Sequence, residues 1–428
     1  MGARVACLIL VLWPVAWLSA ASARSAPGGS PRVSGKPGEG HVLTGIDVLE
    51  ERNFDGLRRA DGRRNRIALV TNQTGRDRSG RRTIDVLSHA PGLELAAIFS
   101  PEHGIAGTLD TTRISDSVDQ ETGVPVYSLY GTSEAQRRPP PAIVKQLDAL
   151  VIDLQDAGAR FYTYETTLAY CLETAAQAGI PVFVLDRPNP INGLRVQGPL
   201  SNPEVCSNAN CRFVNYYPLP VRHGMTIGEL ARLFNGERHL GAQLTVVPMQ
   251  KWQRSEWFDS TGLAWVAPSP NLPSLAAATL YPGLALVEGT NVSVGRGTGT
   301  PFEVVGAPWI KAVELSAYLN QRTIAGVRFV PVSFTPESSR YARQRCDGVK
   351  VVILDRDRLD PAQMGIELAA ALYHLYAPEF KLLQMHDLLA NREVLDRIVA
   401  GWDPRHIEQE YRAGTAGFEA VRKKYLIY

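Results

Sequence analysis

The chain has almost no net charge, and this absence limits what it can be. Its 45 basic and 43 acidic residues leave a formal charge of +2, and the two signs are mixed along the sequence instead of forming the basic stripe that is typical of nucleic-acid binding. With 428 residues and 45% hydrophobic composition, it can bury a large core and exceeds the usual size of one domain. The composition predicts two domains and no nucleic-acid partner.

Several common functional motifs are also missing. There is no P-loop, no HExxH helix and no GxSxG nucleophile turn. A glycine-rich segment at residues 288–298 lacks the GxGxxG spacing and does not follow the first strand, so it is not a dinucleotide fingerprint. His103 has no second ligand at metal spacing and is weak evidence for a metal site. These absences disfavour nucleotide-binding, zincin and α/β-hydrolase functions, and we predict neither a cofactor nor a set of metal ligands.

Residues 1–23 have the form of a secretory signal peptide. Arg4 precedes an apolar stretch at residues 5–18, and small residues at the end provide a cleavage signal. The stretch is short for a bilayer span and is interrupted by Pro14, which disfavours an uncleaved anchor. Residues 24–40 are rich in Gly, Pro, Ser and basic residues and predict a disordered linker. We expect export to the periplasm or the cell exterior, without a stable membrane anchor after cleavage.

Few cysteines remain once that segment is removed. Cys206 and Cys211 enclose a polar loop, and an even number of cysteines in an exported chain favours a disulfide between these two. Their spacing alone is poor evidence for a metal site. Cys171 lies in a predicted helix and reads as a small buried hydrophobe. Neither Cys171 nor Cys346 is assigned a partner.

Short β-branched runs alternate with helical segments in the first half of the chain. A helix is predicted at residues 166–179, where Gly179 followed by Pro181 forms a stop signal. Continuous apolar runs suit strands that are covered on both faces, and the alternation with helices predicts an α/β fold with a doubly wound parallel sheet. The five predicted strands are residues 66–71, 95–99, 124–128, 149–153 and 181–186.

The pattern changes after Gly289. A helix beginning near Thr226 and a strand at residues 244–248 extend the first sheet, whereas the later segments indicate a smaller α+β domain. That domain is predicted from strands at residues 327–331 and 349–355 and a helix at residues 361–376. The predicted parts are a signal peptide (1–23), a linker (24–40), an α/β catalytic domain (41–288) and a C-terminal α+β domain (289–428).

Glu102 is the best candidate for a catalytic acid. It lies between Pro101 and His103 directly after a predicted strand, and a parallel sheet directs such residues into one crevice. The nearby Phe99 provides apolar surroundings of the kind that raise a carboxyl pKa. A carboxylate that caps the following helix explains the position equally well. His103 is open to a role as a base or as a structural hydrogen-bonding group.

A second cluster follows the fourth apolar run. Asp156 and Arg160 precede Tyr162 and Tyr164, and a guanidinium beside flat aromatic faces suits a sugar that bears a carboxylate. An internal ion pair between Asp156 and Arg160 is an equally good interpretation. The sequence leaves both interpretations open.

The fifth run ends in a turn stiffened by two prolines at residues 186–193. Its guanidinium and amide groups suit a polar ligand, although the same residue types are ordinary turn formers. Similar amide and guanidinium groups follow the first apolar run and occur in the glycine-rich segment. The remaining candidates for substrate contacts are Asn72, Arg187, Asn189, Asn291 and Arg296.

Six motifs occur in order along most of the chain. They are residues 69–75, 99–104, 153–164, 185–193, 288–296 and 306–309. Together they resemble the NamZ-type exo-β-N-acetylmuramidases, over roughly residues 45–428. The resemblance implies a Rossmann-like N-terminal domain, a smaller C-terminal domain and hydrolytic release of N-acetylmuramic acid from the non-reducing end of peptidoglycan fragments.

The resemblance also implies roles for individual carboxylates. Glu102 matches the expected catalytic glutamate and would be the general acid. Glu173 matches a family glutamate and is the first candidate for a second carboxylate, whereas Glu165 occupies a position where many members have an apolar residue. Glu288 is the third candidate. Glycosidases generally use two carboxyl groups, although the 2-acetamido group of the substrate can replace one of them.

The lactyl carboxylate of muramic acid needs a cation. Arg160, Arg187 and Arg296 are the candidates because a guanidinium binds a carboxylate through two donors. Two alternatives to the muramidase hypothesis remain at this point. One is a different hydrolase on the same scaffold, either another amino-sugar glycosidase or an amidase of wall peptides; the other is a non-catalytic protein that binds wall sugars.

Overall fold

The structure is a computed structural model that describes residues 42–428. The predicted signal peptide and linker lie outside the described residues. The helices are α1 (Gly45–Glu51), α2 (Thr83–Ser88), α3 (Pro141–Val144), α4 (Tyr164–Ala178), α5 (Ala209–Phe213), α6 (Ile227–Glu237), α7 (Leu275–Glu288), α8 (Ala312–Gln321), α9 (Pro361–Tyr376), α10 (His386–Leu389), α11 (Arg392–Val399) and α12 (Pro404–Arg422). The strands are β1 (Asn65–Thr71), β2 (Leu93–Ser100), β3 (Ser117–Val118), β4 (Pro125–Ser128), β5 (Ala149–Asp153), β6 (Val182–Leu185), β7 (Gln197–Leu200), β8 (Pro220–Arg222), β9 (Leu244–Val247), β10 (Val304–Ala307), β11 (Val327–Phe334) and β12 (Cys346–Ile353).

A seven-stranded sheet with the order β3-β4-β2-β1-β5-β6-β9 organises the first part of the chain. Every neighbouring pair is parallel except β3 with β4. Strands β5 and β6 are buried along their whole length, as expected for a parallel sheet that is covered on both faces. The predicted α/β fold with a doubly wound, mostly parallel sheet is confirmed.

The strand order reverses between β1 and β5. From β1 the chain moves outward to β2 and β4, then returns to β5 and continues to β6 and β9 in the other direction. Connections leave such a reversal point in opposite directions and open a crevice at the carboxyl ends of the strands. Thr71 and Asp153 are paired at the ends of the two central strands. The segments that follow β1, β2 and β5 therefore meet at one edge of the sheet.

Local signals account for the ends of two helices beside this crevice. Helix α4 ends at Gly179, whose φ of 72° lies in the left-handed region that glycine adopts readily. Helix α6 begins with a capping box, in which the Thr226 hydroxyl accepts from the Glu229 amide and the Glu229 carboxylate accepts from the Thr226 amide. Both boundaries agree with the sequence analysis to within two residues.

A three-stranded antiparallel sheet with the order β10-β12-β11 forms the centre of the C-terminal part. Helices α7 and α9 approach each other closely where Gly283 faces Gly365, since a side chain on Gly365 would overlap the Gly283 carbonyl. The predicted α+β fold class of the smaller C-terminal domain is confirmed. Its predicted boundary, which falls at the end of α7, stays a prediction.

The sequence analysis missed several elements that carry or support the crevice. The antiparallel β7–β8 strand pair, strand β10 and helix α7 were not predicted. The predicted disulfide between Cys206 and Cys211 is present, and Cys171 and Cys346 are buried and unbonded within residues 42–428. In the described part of the chain, no helix has both the length and the apolar character that crossing a membrane requires.

Candidate active site

Glu102 lies on the turn after β2, with its carboxylate at the start of α4. Its Oε2 accepts a hydrogen bond of 2.6 Å from the hydroxyl of Thr163, the N-cap residue of that helix. The side chain of Glu102 is partly exposed. A helix N-terminus favours a nearby negative charge. The cap alternative is thereby modified, because Glu102 lies at the start of α4 and not at the helix that comes next along the chain.

His103 and Gly104 bend the chain after Glu102. Both have left-handed backbones, with φ values of 72° and 73°, and that conformation is costly for a histidine. The imidazole Nδ1 lies 2.7 Å from the Leu109 carbonyl oxygen and donates to it. The ring is buried. Of the roles that the sequence left open, this geometry supports the structural hydrogen bond, which holds the turn that carries Glu102.

Buried tyrosines form the floor beneath Glu102. The hydroxyls of Tyr162 and Tyr164 donate to the carbonyl of Pro268 at 2.8 and 2.9 Å, and their rings meet edge to face with centroids 4.6 Å apart. Tyr281 of α7 packs edge-on against Tyr162 at 6.1 Å. Burial raises the pKa of all three hydroxyls, so they stay neutral and act as hydrogen-bonding groups.

Asn72 supports this floor from the end of β1. Its Nδ2 donates to the Tyr164 hydroxyl at 2.6 Å, and its Oδ1 accepts from the amide and the hydroxyl of Thr74 at 3.0 and 2.6 Å. The residue is buried. Asn72 therefore positions Tyr164 behind Glu102, and this placement favours a supporting role over direct contact with a ligand.

Glu288 and Arg296 form a wall of the same site. The Arg296 Nε is paired with the Glu288 carboxylate, and its Nη1 lies 3.3 Å from Asp110. Burial raises the pKa of Glu288, the charge of Arg296 opposes this rise, and the charge of Glu102 adds to it. Because that influence depends on proximity, the fold brings Glu102, Glu288 and Asp110 together around Arg296.

Arg160 lies inside the fold. Its guanidinium donates four hydrogen bonds of 2.8 to 3.0 Å to main-chain carbonyls, and burial lowers its pKa to about 9. The acceptors belong to Pro199, Leu219, Leu388 and Leu389. The predicted ion pair with Asp156 does not form among the described residues, and the burial of Arg160 argues against the predicted contact with substrate. Arg160 instead joins the β7–β8 region to the C-terminal part.

Arg187 and Asn189 are also committed to internal contacts. Arg187 donates from Nε and Nη2 to the two oxygens of Asp153 at 2.5 and 2.8 Å, which is a buried bidentate pair. The Asn189 amide donates to the Met225 carbonyl at 2.9 Å, and its oxygen accepts from the Ile191 amide at 3.1 Å. These contacts favour a structural ion pair and an ordinary turn over the predicted substrate contacts.

Glu173 lies far along α4 from the end that holds Glu102. Ten residues of helix separate it from Thr163, which is about 15 Å along the axis. Its two oxygens are taken by Arg138 at 2.5 Å and by the Tyr216 hydroxyl at 2.6 Å. This placement argues against Glu173 as the second catalytic carboxylate.

Asn291 binds a distant part of the chain. Its Nδ2 donates to the Glu379 carbonyl and its Oδ1 accepts from the Lys381 amide, both at 2.8 Å. These bonds fix the start of the glycine-rich segment to the C-terminal domain. The side chain is thus a structural link, and the predicted contact with substrate is not supported by its geometry.

A buried cluster of Asp156, Glu165 and His223 lies at the same edge of the sheet. The His223 Nε2 is 2.9 Å from Glu165 Oε1 and 3.4 Å from Asp156 Oδ2. The His223 Nδ1 accepts from the Met225 amide at 3.1 Å, so the ring proton is on Nε2 and points at the carboxylates. Burial raises the pKa of Glu165 to about 8.

These three residues are close enough together to hold a metal ion. A ligating histidine, however, presents a lone pair to the metal and donates its other N–H to a neighbour. His223 has the opposite arrangement, because its second nitrogen accepts a hydrogen bond. The cluster is therefore better suited to sharing protons between carboxylates and imidazole than to binding a metal.

Several site residues were missed by the sequence analysis. Tyr130 lies against Glu102, and burial together with the Glu102 charge raises its pKa. It follows β4 directly, so the rule that selected Glu102 after β2 could also have selected Tyr130 after β4. Tyr281 and His223 had no such signal, because they come from a helix and a strand pair that the sequence analysis did not predict. The missed residues are Asp110, Tyr130, Thr163, His223 and Tyr281.

Comparison with known proteins gives consistent matches over most of the chain. Residues 67–276 match the profile described as exo-beta-N-acetylmuramidase NamZ, N-terminal, and residues 279–428 match the corresponding C-terminal profile. The peptidoglycan beta-N-acetylmuramidase NamZ of Bacillus subtilis (strain 168) is 41% identical over 411 residues, which is 95% of each chain.

Two solved structures from Bacteroides fragilis NCTC 9343, both described as DUF1343 family proteins, have a similar fold. The first has a TM-score of 0.81 and 32% identity and covers 91% of this chain and 99% of its own. The second has a TM-score of 0.69 and 30% identity and covers 90% of this chain and 99% of its own. The similarity therefore includes both the sheet that carries the site and the C-terminal part.

Proposed function

Because this chain belongs to the NamZ family of exo-β-N-acetylmuramidases, we propose that it releases N-acetylmuramic acid from the non-reducing end of peptidoglycan fragments. The observation that carries this proposal is the convergence of Glu102, Glu288 and Arg296 at one site, each from a motif that the family resemblance covers. A pair of neighbouring carboxyl groups matches the chemistry of cleaving a glycosidic bond.

Glu102 is the general acid in this mechanism. Thr163 donates to one of its oxygens, and the neutral Tyr130 hydroxyl lies against the same carboxyl group. These neighbours fix the orientation of the side chain, which is what proton delivery to the glycosidic oxygen requires. The partial exposure of Glu102 lets a sugar reach it.

Glu288 replaces Glu173 as the second carboxyl group. It is held by Arg296 within the electrostatic influence of Glu102, whereas Glu173 is bound to Arg138 and Tyr216. The raised pKa of Glu288 suits a group that accepts a proton during the reaction. That proton comes either from the attacking water or from the 2-acetamido group of the substrate, if that group acts as the nucleophile.

We also propose that the mature protein acts outside the cytoplasm. The predicted signal peptide and cleavage signal at residues 1–23 support export. Peptidoglycan fragments occur in that compartment, and they are the proposed partner. The near-neutral charge and mixed sign pattern give no support for a nucleic-acid partner.

The proposal is tested with Glu102→Gln and a chromogenic N-acetylmuramide. Loss of a general acid should reduce kcat by about 10² to 10⁴, with an unchanged circular dichroism spectrum. Glu173→Gln is the matched control and should keep most of the activity, since Glu173 lies away from the site. Full activity of Glu102→Gln would reject the mechanism.

The substrate class is tested on the unmodified protein. Faster turnover of the muramide than of the matching N-acetylglucosaminide supports a muramidase. Equal turnover of both would identify a less selective amino-sugar glycosidase, and release of wall peptide without free sugar would identify an amidase. Saturable binding of the muramide without product would identify a sugar-binding protein and reject the proposed catalysis.

A further inference from the structure

Glu288, the proposed second carboxyl group, and Arg296 line a pocket of about 310 Å³. Its far wall is formed by the loop between β11 and β12, through Ser339 and Arg340. Pockets of this size accept small ligands. The C-terminal domain therefore contributes directly to a site that is otherwise built at the edge of the large sheet.

The loop that carries Arg340 is held in a demanding backbone conformation. Ser339, Tyr341 and Arg343 have φ values of 66°, 59° and 62°, which lie in the left-handed region that non-glycine residues rarely adopt. Such conformations persist only when surrounding contacts impose them. Three non-glycine residues of this kind flank Arg340 within five positions, so the backbone on both sides of this side chain is constrained.

Contacts to the glycine-rich segment impose this conformation. The Glu337 amide donates to the Gly297 carbonyl at 2.8 Å, and the Tyr341 hydroxyl donates to the Asn291 carbonyl at 2.7 Å. The indole of Trp309 donates to the Tyr341 hydroxyl at 3.3 Å. Any side chain at Gly297 would collide with Ser338. The loop is thus fixed against the segment that carries Arg296.

Arg340 is the one arginine of the pocket without a counter-charge. Arg296 is paired with Glu288 and lies near Asp110, so its charge is already balanced. No carboxylate of residues 42–428 lies within ion-pairing distance of Arg340, and the residue is exposed at the pocket. The Arg160 and Arg187 guanidiniums, which the sequence suggested for an acid group, are buried in structural contacts.

We propose that Arg340 binds the lactyl carboxylate of the substrate and thereby selects muramic acid over amino sugars that lack this group. The inference rests on the proposed function and deepens it. The lactyl group is carried by the ring carbon two positions from the scissile one, so its binding group has to lie beside the catalytic carboxyls. Arg340 is placed at such a position, on the wall of the pocket that Glu288 also lines. A guanidinium offers the carboxylate two parallel hydrogen bonds.

The test compares Arg340→Ala and Arg340→Lys with the unmodified protein on two substrates: the chromogenic muramide and the methyl ester of its lactyl carboxylate. Arg340→Ala should raise KM for the free acid about tenfold, the loss expected for one partly solvated charge-assisted contact, with little change in kcat. Arg340→Lys should recover part of this loss. The ester should show a raised KM with the unmodified protein and no further rise in Arg340→Ala.

Arg343→Ala is the matched control. Arg343 carries the same charge on the same loop, but it does not line the pocket. It should retain the kinetics of the unmodified protein. An unchanged KM in Arg340→Ala, or an equal loss in Arg343→Ala, would overturn the assignment of Arg340.

Direct binding separates this inference from the proposed function. Calorimetric titration with free N-acetylmuramic acid and with N-acetylglucosamine measures recognition of the lactyl group without turnover. Arg340→Ala should lose the preference for the acid sugar, and retention of that preference would reject the proposed contact. If the unmodified protein releases no muramic acid but shows an Arg340-dependent preference, the proposed function fails and the carboxylate site stands.

Discussion

The Thr163 hydroxyl donates to the Glu102 carboxylate at 2.6 Å across 61 residues of sequence. Thr163 is the N-cap residue of α4 and Glu102 follows β2, so this one bond joins the helix to the turn that carries the proposed general acid. The carboxylate is thereby held at the positive end of the helix dipole. This hydrogen bond connects the doubly wound sheet to the carboxyl group that is proposed to donate the proton.

We expect Thr163→Val to lower kcat/KM by about tenfold, because losing this hydrogen bond frees the Glu102 side chain from the orientation that proton delivery requires. Steady-state kinetics on the muramide measure this change. Thr174→Val is the matched control: its hydroxyl donates to the Tyr170 carbonyl on the same helix, away from Glu102. Equal losses in both variants would show that the effect is general to α4.

The pH dependence of kcat/KM should report Glu288. Burial raises its pKa above the usual 4.5, and a base has to be ionised to act. Activity should therefore rise with pH, with a midpoint above 4.5. Glu288→Gln should lose most of the activity, and what remains should lack this rise. If Glu288→Gln kept strong activity with the same rise at low pH, the rise would belong to another group.

Arg160→Lys should mainly affect stability. Lysine cannot satisfy four separated carbonyls, so we expect the free energy of unfolding to fall by about 3 kcal/mol. KM for the muramide should stay unchanged in the folded fraction, because Arg160 is buried away from the substrate. Denaturant unfolding and kinetics measure the two effects. A raised KM with normal stability would restore the substrate contact that the sequence suggested.

The buried cluster of Asp156, Glu165 and His223 should make the free energy of unfolding fall as the pH rises. The pKa of Glu165 is raised to about 8 in the folded protein, so between its unfolded value and pH 8 the folded state keeps a proton that the unfolded state has released. The unfolded state binds fewer protons over this range, and the free energy of unfolding decreases with pH.

Glu165→Gln removes that titrating group and should flatten the decrease between about pH 5 and 8. Denaturant unfolding at several pH values measures the slope. Glu173→Gln, on the same helix but partly exposed, is the control and should keep the slope of the unmodified protein. Identical slopes in all three proteins would exclude Glu165 as their source.

The local structure was largely determined by the sequence. The run at residues 149–153 predicted β5 at the bounds that the structure has, and Gly179 and Thr226 marked the end of α4 and the start of α6. These signals succeed because apolar burial, capping and left-handed glycine act within a few residues. Glu102 was identified from its position directly after a strand, which is also a local signal.

Tertiary structure alone decided the roles of the charged side chains. Arg160 binds carbonyls at Leu388 and Leu389, more than two hundred residues away. Glu288 comes within the electrostatic influence of Glu102 only because α7 packs its Tyr281 against Tyr162. A charged residue looks the same in the sequence whether its side chain will contact a carboxylate, a carbonyl or a sugar. Which of these it meets depends on the packing of distant segments, and for Arg340 on how a C-terminal loop is fixed against the glycine-rich segment.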